Sequence, residues 1–252
     1  MEGTRRGWRK ALGLCSAACC AAALALVAWG NLRARPAQPA PAPPAGPLSG
    51  RVVAVDAGHG GYDGGAVGGA TRVLEKDLNL DVALRLRDLL TAQGAQVLLT
   101  RDGDYALCDE DPLIRKKLQD MQRRAALVAS GGAELLLSIH MNEYADRRQS
   151  GPQVFHRPRC PAGRLLAETL QQCMNDTLQP SRARTVQAGD YYVLTLGLPA
   201  ALVECGFLSN RAEEALLQSA DYRQRIAQSV CEGVLAWFAL DERPQALAAQ
   251  QR

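Results

Sequence analysis

Short apolar segments alternate along this chain with longer segments of helical periodicity, and this alternation limits the possible folds most strongly. Residues 52–55, 135–139 and 200–203 are almost entirely apolar, a pattern typical of strands buried on both faces of a parallel sheet. Helices are predicted at 78–93, 113–129, 164–177 and 222–238. The alternation predicts an α/β fold, namely a three-layer αβα sandwich around a mostly parallel sheet.

Three further strands are predicted at 96–100, 153–155 and 191–194. The first helix carries Leu80, Ala83, Leu84 and Leu90 on its expected apolar side, and Gly94 is placed to end it, because glycine favours helix C-termini. Ligand sites of open parallel sheets lie beyond the carboxyl ends of the strands. The residues that follow the buried strands are therefore the first candidates for function.

The first 50 residues differ from the rest in composition and charge. Four basic residues within 1–10 precede the uncharged, Ala- and Leu-rich segment 11–29. As a helix this segment would be about 28 Å long, close to the hydrocarbon thickness of a bilayer. The preceding positive charge favours a cytoplasmic N-terminus, so we expect a transmembrane anchor. A cleavable signal sequence with small residues at Ala28 and Gly30 is the alternative, and both interpretations export the rest of the chain.

The expected organisation has five parts. They are a basic cytoplasmic segment 1–10, the anchor or signal sequence 11–29, a Pro/Ala-rich linker 30–49, a globular domain 50–240 and a C-terminal tail 241–252. Beyond residue 50 the chain holds 23 basic and 25 acidic residues, so it has no basic excess and we expect no nucleic-acid partner.

The cysteines do not form a metal or disulfide pattern. Outside the leader they are scattered and no two have the CxxC spacing, which argues against a zinc ribbon or a thioredoxin-like motif. Export would permit disulfides, but we expect these residues to serve as small buried apolar side chains. The eight positions are Cys15, Cys19, Cys20, Cys108, Cys160, Cys173, Cys205 and Cys231.

Polar side chains follow three of the predicted buried strands. His59 comes after the strand predicted at 52–55, His140 follows the one at 135–139, and Glu204 follows the one at 200–203. Glu75 lies just before the first helix. Two histidines and a carboxylate form the ligand set of a catalytic zinc site, and a second carboxylate can act as general base. Each residue taken alone has a structural alternative, for example a first-turn carboxylate that answers the helix dipole.

Four separated motifs resemble those of one enzyme family. The strings VVAVDAGHGGYDGGAVG, LEKDLNL, LLLSIHMN and PAALVECGFLSN occur in this order. They are similar to the signature segments of the zinc-dependent N-acetylmuramoyl-L-alanine amidases of the amidase_3 family, and the resemblance covers about residues 51–240. It implies that residues 50–240 form an amidase catalytic domain that hydrolyses the amide bond between N-acetylmuramic acid and L-alanine in peptidoglycan.

The resemblance also assigns roles within the motifs. It implies that His59, Glu75 and His140 bind Zn²⁺ and that Glu204 is the catalytic carboxylate. The family usually has proline where Ala57 stands. The alanine removes a restraint on the backbone angle φ but does not remove a metal ligand. His156 stands where an aromatic residue is common, and the alternatives for it are a third metal histidine, a residue that lines the substrate groove or a solvated side chain.

Two neighbours of the ligands are candidate supports. Asp56 and Asn142 flank ligand residues, so they are placed either to orient the imidazoles or to serve as ordinary turn or cap residues. Arg101 follows the second strand, and it is the candidate that a rival zinc carboxypeptidase would need to dock a substrate carboxylate. A structural ion pair is the alternative for Arg101.

Within the family, the basic run at 115–124 and the absence of wall-binding repeats resemble a CwlD-like subgroup that acts in spore cortex maturation, before muramic lactam formation. A vegetative role in wall turnover or cell separation is the alternative. An inactive peptidoglycan-binding module is a further alternative from another class. Expected partners are peptidoglycan, the membrane through segment 11–29 and an activating or localising protein. The enzyme would then be exported and membrane-anchored, facing the wall or the forespore intermembrane space, or secreted after cleavage.

Overall fold

The computed structural model describes residues 45–109 and 115–250, with side chains up to residue 240. A sheet of six strands in the order β2-β1-β3-β6-β4-β5 forms its centre. The strands are β1 (Val52–Ala57), β2 (Gln96–Leu99), β3 (Leu135–Asn142), β4 (Gln153–His156), β5 (Gln187–Ala188) and β6 (Ala200–Phe207). The helices are α1 (Glu75–Ala92), α2 (Lys116–Ser130), α3 (Pro161–Leu178), α4 (Arg211–Gln218) and α5 (Ala220–Gln250).

The sheet is mixed but mostly parallel. Strand β1 pairs in parallel with β2 and β3, and β3 pairs in parallel with β6. Strand β4 runs antiparallel to β6, and the short β5 runs parallel to β4. Helices cover both faces, so the predicted three-layer αβα fold is confirmed.

The two faces of the sheet are covered to different extents. Alternate residues such as Val55, Ile139 and Val203 pack with α1, α3 and α5 in the larger apolar cluster. The intervening residues, including Leu136 and Leu202, pack with Val128 of α2 and with a 3₁₀ turn in a much smaller cluster. The second layer is thin, which leaves the carboxyl end of this face available for polar residues.

Several predicted element positions need correction. The segment predicted as a strand at 191–194 is a 3₁₀ helix, Tyr192–Thr195, because a short aromatic and β-branched run does not by itself distinguish a strand from a tight turn. Helix α1 begins at Glu75 rather than 78 and buries Leu78, Val82, Leu86 and Leu90. Of the predicted apolar side, Ala83 and Leu90 are buried as expected, whereas Leu80 and Leu84 are only half-buried.

Other segments extend or complete the prediction. Helix α4 and strand β5 were not predicted, and α5 runs to Gln250, beyond the predicted end at 238. The first residues of the helix predicted at 113–129 and the apolar leader 11–29 lie outside the described residues. In the described part of the chain no helix is long and apolar enough to cross a membrane.

The described cysteines carry no disulfide. Cys205 and Cys231 are buried thiols, as expected for small apolar side chains, and the other three are half-buried. The free cysteines among the described residues are Cys108, Cys160, Cys173, Cys205 and Cys231.

Candidate metal centre

The polar strand ends meet on the thinly covered face of the sheet. Asp56, Ser138 and His140 lie on the same face as the apolar residues that pack under α2, because they follow Ala54 and Leu136 at two-residue spacing, and His140 is the register partner of Glu204. Because side chains of a strand alternate between faces, these residues project to the same side. The site therefore occupies the carboxyl ends of β1, β3 and β6, as the sequence analysis predicted.

His59, Glu75 and His140 form one compact cluster. Their candidate ligand atoms all lie within 4.8 Å of one another. Glu75 Oε2 is 3.1 Å from His59 Nε2, and Glu75 Oε1 is 3.0 Å from His140 Nδ1. The rings of the two histidines meet edge to face with centroids 5.0 Å apart. The structure thus brings together all three predicted ligands.

The Glu75 carboxylate is held from several directions. Its Oε2 accepts a hydrogen bond from the backbone N–H of Ala66 at 2.8 Å, and its Oε1 accepts from that of Met141 at 3.1 Å. Asn79, one turn later on α1, also donates to Oε1. Burial raises the pKa of Glu75, but hydrogen bonds from His140 and His59 outweigh burial and bring it far below its ordinary value. Glu75 is therefore an ionised carboxylate.

The loop after β1 adopts an uncommon backbone to present His59. His59 has φ 61°, in the left-handed region that costs energy for a residue with a side chain. Gly58 is needed beside it, because a Cβ there would lie 2.2 Å from the His140 ring. Gly65, with φ 67°, lets the same loop pass over Glu75, whose Oε2 would be 2.5 Å from an added Cβ.

A buried arginine fixes this loop from below. Arg124 of α2 donates to the carbonyl oxygens of Ala57 at 2.8 Å and His59 at 2.6 Å. It also pairs with Asp56 and Asp120, each at 2.7 Å. In the sequence, Arg124 was assigned only to a basic run, and this role was missed. Its spacing of four residues from Asp120 and from the buried Val128 was the available signal.

Asp56 supports the scaffold rather than an imidazole. Its carboxylate accepts hydrogen bonds from Thr100 at 2.6 Å, Ser138 at 2.6 Å and Arg124 at 2.7 Å. Burial acts to raise its pKa, but Arg124 and the two hydroxyls lower it to about 2. Among the hydrogen bonds of the described residues, those of Asp56 reach His59 only through Arg124.

Arg101 is also part of the scaffold. It is 1% exposed, and its guanidinium donates to the carbonyl oxygens of Ala57, Gly58, Gly103 and Lys76 at 2.8–3.0 Å. A guanidinium enclosed by backbone carbonyls is not available to a substrate carboxylate. The role that a carboxypeptidase would require of Arg101 is therefore excluded, and among the described residues the group binds carbonyls and forms no ion pair.

Glu204 projects into the same space with an unused oxygen. It lies opposite His140 in the sheet, and the register shifts immediately after this pair, as at the β-bulges that often re-aim side chains beside active sites. Its Oε2 is buried without a hydrogen-bond partner in the described structure. Burial raises the pKa of Glu204 to about 7, against the charge of His140.

Asp63 is a neighbour of the site that the sequence analysis did not identify. Its Oδ1 lies 3.0 Å from His59 Nδ1, the ring nitrogen on the side away from Glu75. A carboxylate behind a histidine is the usual support for a metal-binding imidazole. The proximity depends on the left-handed turn at His59, so the glycine-rich sequence alone carried no signal for it.

His156 lies away from this cluster. It pairs with Ala201, three residues from Glu204 towards the opposite end of β6, a separation of about 10 Å along a strand. Its Nδ1 lies 3.0 Å from the carbonyl of Arg157. A third metal histidine is therefore excluded at this position.

Asn142, a candidate support of the imidazoles, lines a groove beside the site.

Two depressions border the cluster. One presents mainly apolar surface from residues that include Met121, Val193 and Leu202, beside His59, His140 and the charged side chains of Asp63, Lys117 and Asp120. The other is a polar groove lined by residues that include Asn142, Gln153 and Arg184. Tyr191 borders both depressions, and burial together with the charge of Glu204 raises its pKa.

The donor set fits a divalent metal ion. Two imidazole nitrogens and one ionised carboxylate suit zinc and leave a coordination position open for water or substrate. Glu204 Oε2, on the strand beside the cluster, is buried without a hydrogen-bond partner among the described residues. Such an uncompensated buried polar atom is expected where a further group binds.

Comparison with known proteins agrees with this geometry. The germination-specific N-acetylmuramoyl-L-alanine amidase of Bacillus subtilis (strain 168) is 38% identical over 195 residues, covering 76% of this chain and 81% of that protein. The amidase LytC of the same organism is 31% identical over 195 residues, covering 76% of this chain and 36% of LytC.

A solved structure and a family match lead to the same assignment. The CwlD amidase from Clostridioides difficile, solved in complex with the GerS lipoprotein, has a TM-score of 0.73 at 30% identity, covering 75% of this chain and 99% of that chain. The family described as N-acetylmuramoyl-L-alanine amidase, Amidase_3, matches residues 53–236. The chain therefore belongs to the Amidase_3 family of N-acetylmuramoyl-L-alanine amidases.

Proposed function

We propose that this peptidoglycan amidase is zinc-dependent, with His59, Glu75 and His140 as the metal ligands and Glu204 as the catalytic carboxylate. The observation that carries the proposal is the compact group of ligand atoms, all within 4.8 Å of one another. The unpartnered oxygen of Glu204 on the neighbouring strand supports the second role.

The residues of the chain divide the work of hydrolysis between them. When bound, zinc supplies a water of lowered pKa and polarises the carbonyl of the scissile amide. Glu204 accepts a proton from the attacking water as the oxygen adds to the carbonyl carbon. The same carboxyl then donates that proton to the alanine nitrogen as the C–N bond breaks. A pKa raised to about 7 by burial suits a group that both accepts and donates a proton near neutral pH.

A role in the spore cortex is the physiological part of the proposal. It is supported by 38% identity to a germination-specific amidase over 81% of that protein's length. The similarity to a CwlD amidase structure is a second support. A vegetative role in wall turnover or cell separation is the alternative.

The site is open to a large substrate in the described structure. Vegetative members of the family often close it with a helix inserted before the last strand. Between β4 and β6 this chain has α3, β5 and the 3₁₀ turn, and Leu166, Leu170 and Met174 of α3 face the core. Regulation would then come from another protein, and the CwlD structure was solved with a lipoprotein.

Localisation is part of the same proposal. Peptidoglycan lies outside the cytoplasmic membrane, so the domain must act there. Segment 11–29, as an anchor or as a cleaved signal sequence, would deliver it. Membrane fractionation and N-terminal sequencing of the mature protein in a spore-forming host would distinguish these two possibilities.

The activity is tested by digesting peptidoglycan with the full-length protein and analysing the products by mass spectrometry. Free stem peptides that begin with L-alanine should appear with added zinc and disappear with a chelator or in Glu204→Gln. Intact glycan–peptide linkages with zinc-loaded protein would contradict unassisted activity and favour a requirement for a partner protein. A protein that takes up no zinc would favour the inactive binding module.

A further inference from the structure

The polar groove beside Glu204 contains two arginines that converge on one neutral oxygen. Arg184 Nη2 donates to Gln149 Oε1 at 2.7 Å, and Arg182 Nη1 donates to the same atom at 3.2 Å. The charge of Arg182 contributes to lowering the pKa of Arg184, after the larger effect of burial. Two like charges are therefore held close together across a single amide oxygen.

Arg184 is positioned rigidly while part of its donor capacity stays free. It donates to the carbonyl of Ser150 at 2.6 Å and to Gln153 Oε1 at 3.1 Å, and its guanidinium stacks on Phe207 at 4.6 Å. With the bond to Gln149, these contacts use three of the five N–H donors that an arginine has. The remaining donors can face an anion in the groove.

No described carboxylate neutralises this pair directly. The charge of Glu213 acts on Arg184, but its two oxygens already accept backbone N–H groups of Gly151 and Phe207 at 2.7 Å. Glu143 also lines the groove, and within the described residues no ion pair joins it to either arginine. A half-buried arginine held beside an exposed one, without a bound carboxylate, is suited to bind a carboxylate.

The groove lies beside the catalytic carboxylate of the proposed function. Gln153, which accepts from Arg184, is the cross-strand partner of Glu204, and side chains of such a pair lie about 5 Å apart on one face. In the stem peptide, the residue after L-alanine is D-isoglutamate, whose α-carboxylate is free. Two extended residues place that carboxylate about 7 Å from the scissile amide.

We infer that Arg182 and Arg184 form the subsite for the free α-carboxylate of the second stem-peptide residue, so that the peptide leaves along this groove. The inference rests on the proposed amidase function, because it takes Glu204 as the reacting end of the groove. It makes the enzyme selective for stem peptides with D-isoglutamate over peptides in which this group is amidated to D-isoglutamine.

The test pairs two substrates with single variants of the full-length, zinc-loaded protein. The kcat/KM for hydrolysis is measured with two muramoyl peptides that differ only in D-isoglutamate or D-isoglutamine. The enzymes compared are the wild type, Arg184→Gln and Arg182→Gln. Arg164→Gln is the matched control, since Arg164 is an exposed arginine of α3 paired with Glu168. Thermal unfolding of each variant identifies any loss of the fold, and the exposed Arg182 provides a variant with little structural burden.

The inference predicts that Arg184→Gln lowers kcat/KM for the isoglutamate substrate roughly tenfold to a hundredfold, mainly through KM, as expected for a lost hydrogen bond to a charge. Arg182→Gln should lower kcat/KM for the isoglutamate substrate by about half as much in logarithmic units. For the wild type, kcat/KM for the isoglutamine substrate should be lower than for the isoglutamate substrate by about the same factor as in Arg184→Gln. On the amidated substrate the variants should equal the wild type. Equal losses on both substrates, or no loss on either, would overturn the inference.

A binding measurement separates this inference from the amidase proposal. Fluorescence anisotropy of labelled free stem peptide reports the subsite without turnover. Roughly tenfold tighter binding of the isoglutamate peptide than the isoglutamine peptide by the wild type, lost in Arg184→Gln, supports the subsite even if no hydrolysis occurs. Equal binding of the two peptides would reject the subsite even if hydrolysis is normal.

Discussion

Two charged clusters lie at the same end of the sheet and differ in how completely the protein satisfies them. Around Arg124, Asp56 and Asp120, each charge has an opposite charge or a hydrogen bond at 2.6–2.8 Å. Around His140 and Glu204, a carboxylate oxygen is buried without a partner. Both clusters rest on the same strands, only a few residues apart.

This difference in satisfied hydrogen bonds distinguishes a structural cluster from a catalytic one. A closed network of buried charges fixes geometry, because the loss of one member leaves the others unpaired. The cluster around His140 and Glu204, called the open cluster below, has a buried polar atom without a partner. A metal ion, a water or a substrate can supply that missing interaction. Arg124 connects the two clusters, since it holds the carbonyl of His59. The predictions below ask whether changes in one cluster leave the other intact.

The largest effect is expected from removing a ligand. His140→Ala should reduce bound zinc from one ion per chain towards none, because two protein ligands hold zinc much more weakly than three. Metal analysis after dialysis, together with peptidoglycan hydrolysis, measures this. His156→Ala is the matched control, since this histidine lies about 10 Å from Glu204 along the strand. Full zinc content in His140→Ala would contradict the assignment of His140 as a zinc ligand.

Removing the carboxylate should affect hydrolysis without affecting metal content. Glu204→Gln preserves shape but cannot accept a proton, so kcat should fall by about 10²–10⁴-fold while zinc content stays at one ion per chain. Single-turnover hydrolysis of a soluble muramoyl peptide, beside metal analysis, is the measurement. Near-normal kcat in this variant would show that another group moves the proton.

Arg124→Met should break the closed cluster. It leaves Asp56 and Asp120 buried without their partner, and removing one member of such a pair typically costs about 3–5 kcal/mol of unfolding free energy. Urea unfolding of the zinc-free protein measures this loss. Arg123→Met, which removes exposed contacts with Asp109 and with the carbonyl oxygen of Leu107, should leave the midpoint nearly unchanged. If both variants unfold at the wild-type midpoint, the network does not carry stability.

The smallest effect concerns acid stability. Burial acts to raise the pKa of Asp56, but Arg124, Ser138 and Thr100 lower it from 3.8 to about 2. Ionised Asp56 therefore adds stability that is fully present above about pH 4 and is lost as the pH falls through about 2, an amount of about 2 kcal/mol. Urea unfolding between pH 2 and pH 6 should show a flatter acid limb in Asp56→Asn. An unchanged slope would contradict the assignment.

The main features of the open cluster could be predicted from the sequence. His59, His140 and Glu204 follow apolar strands, and a parallel sheet brings the ends of its strands to one edge. Glu75 needed the motif resemblance as well, because a first-turn carboxylate is common at any helix N-terminus. The register of β3 and β6 then places His140 beside Glu204.

The closed cluster could not be predicted in the same way. For Arg124 the available signal is its four-residue spacing from Asp120 and Val128. Arg101, which binds the same Ala57 carbonyl, has no such signal, because its burial depends on how the loop after β1 folds. Asp63 approaches His59 because of a left-handed backbone that depends on neighbouring glycines. Such contacts depend on tertiary geometry, which hydrophobic periodicity does not encode.

The central claim is that His59, Glu75 and His140 hold a zinc ion beside a carboxylate that does not bind it. Zinc K-edge X-ray absorption of the full-length protein, loaded with one equivalent, tests this claim most directly. The account predicts a first shell of imidazole nitrogen and oxygen without sulfur, with two imidazoles and no change in Glu204→Gln. Sulfur scattering from a cysteine, a third imidazole, or a shell altered by Glu204→Gln would contradict it.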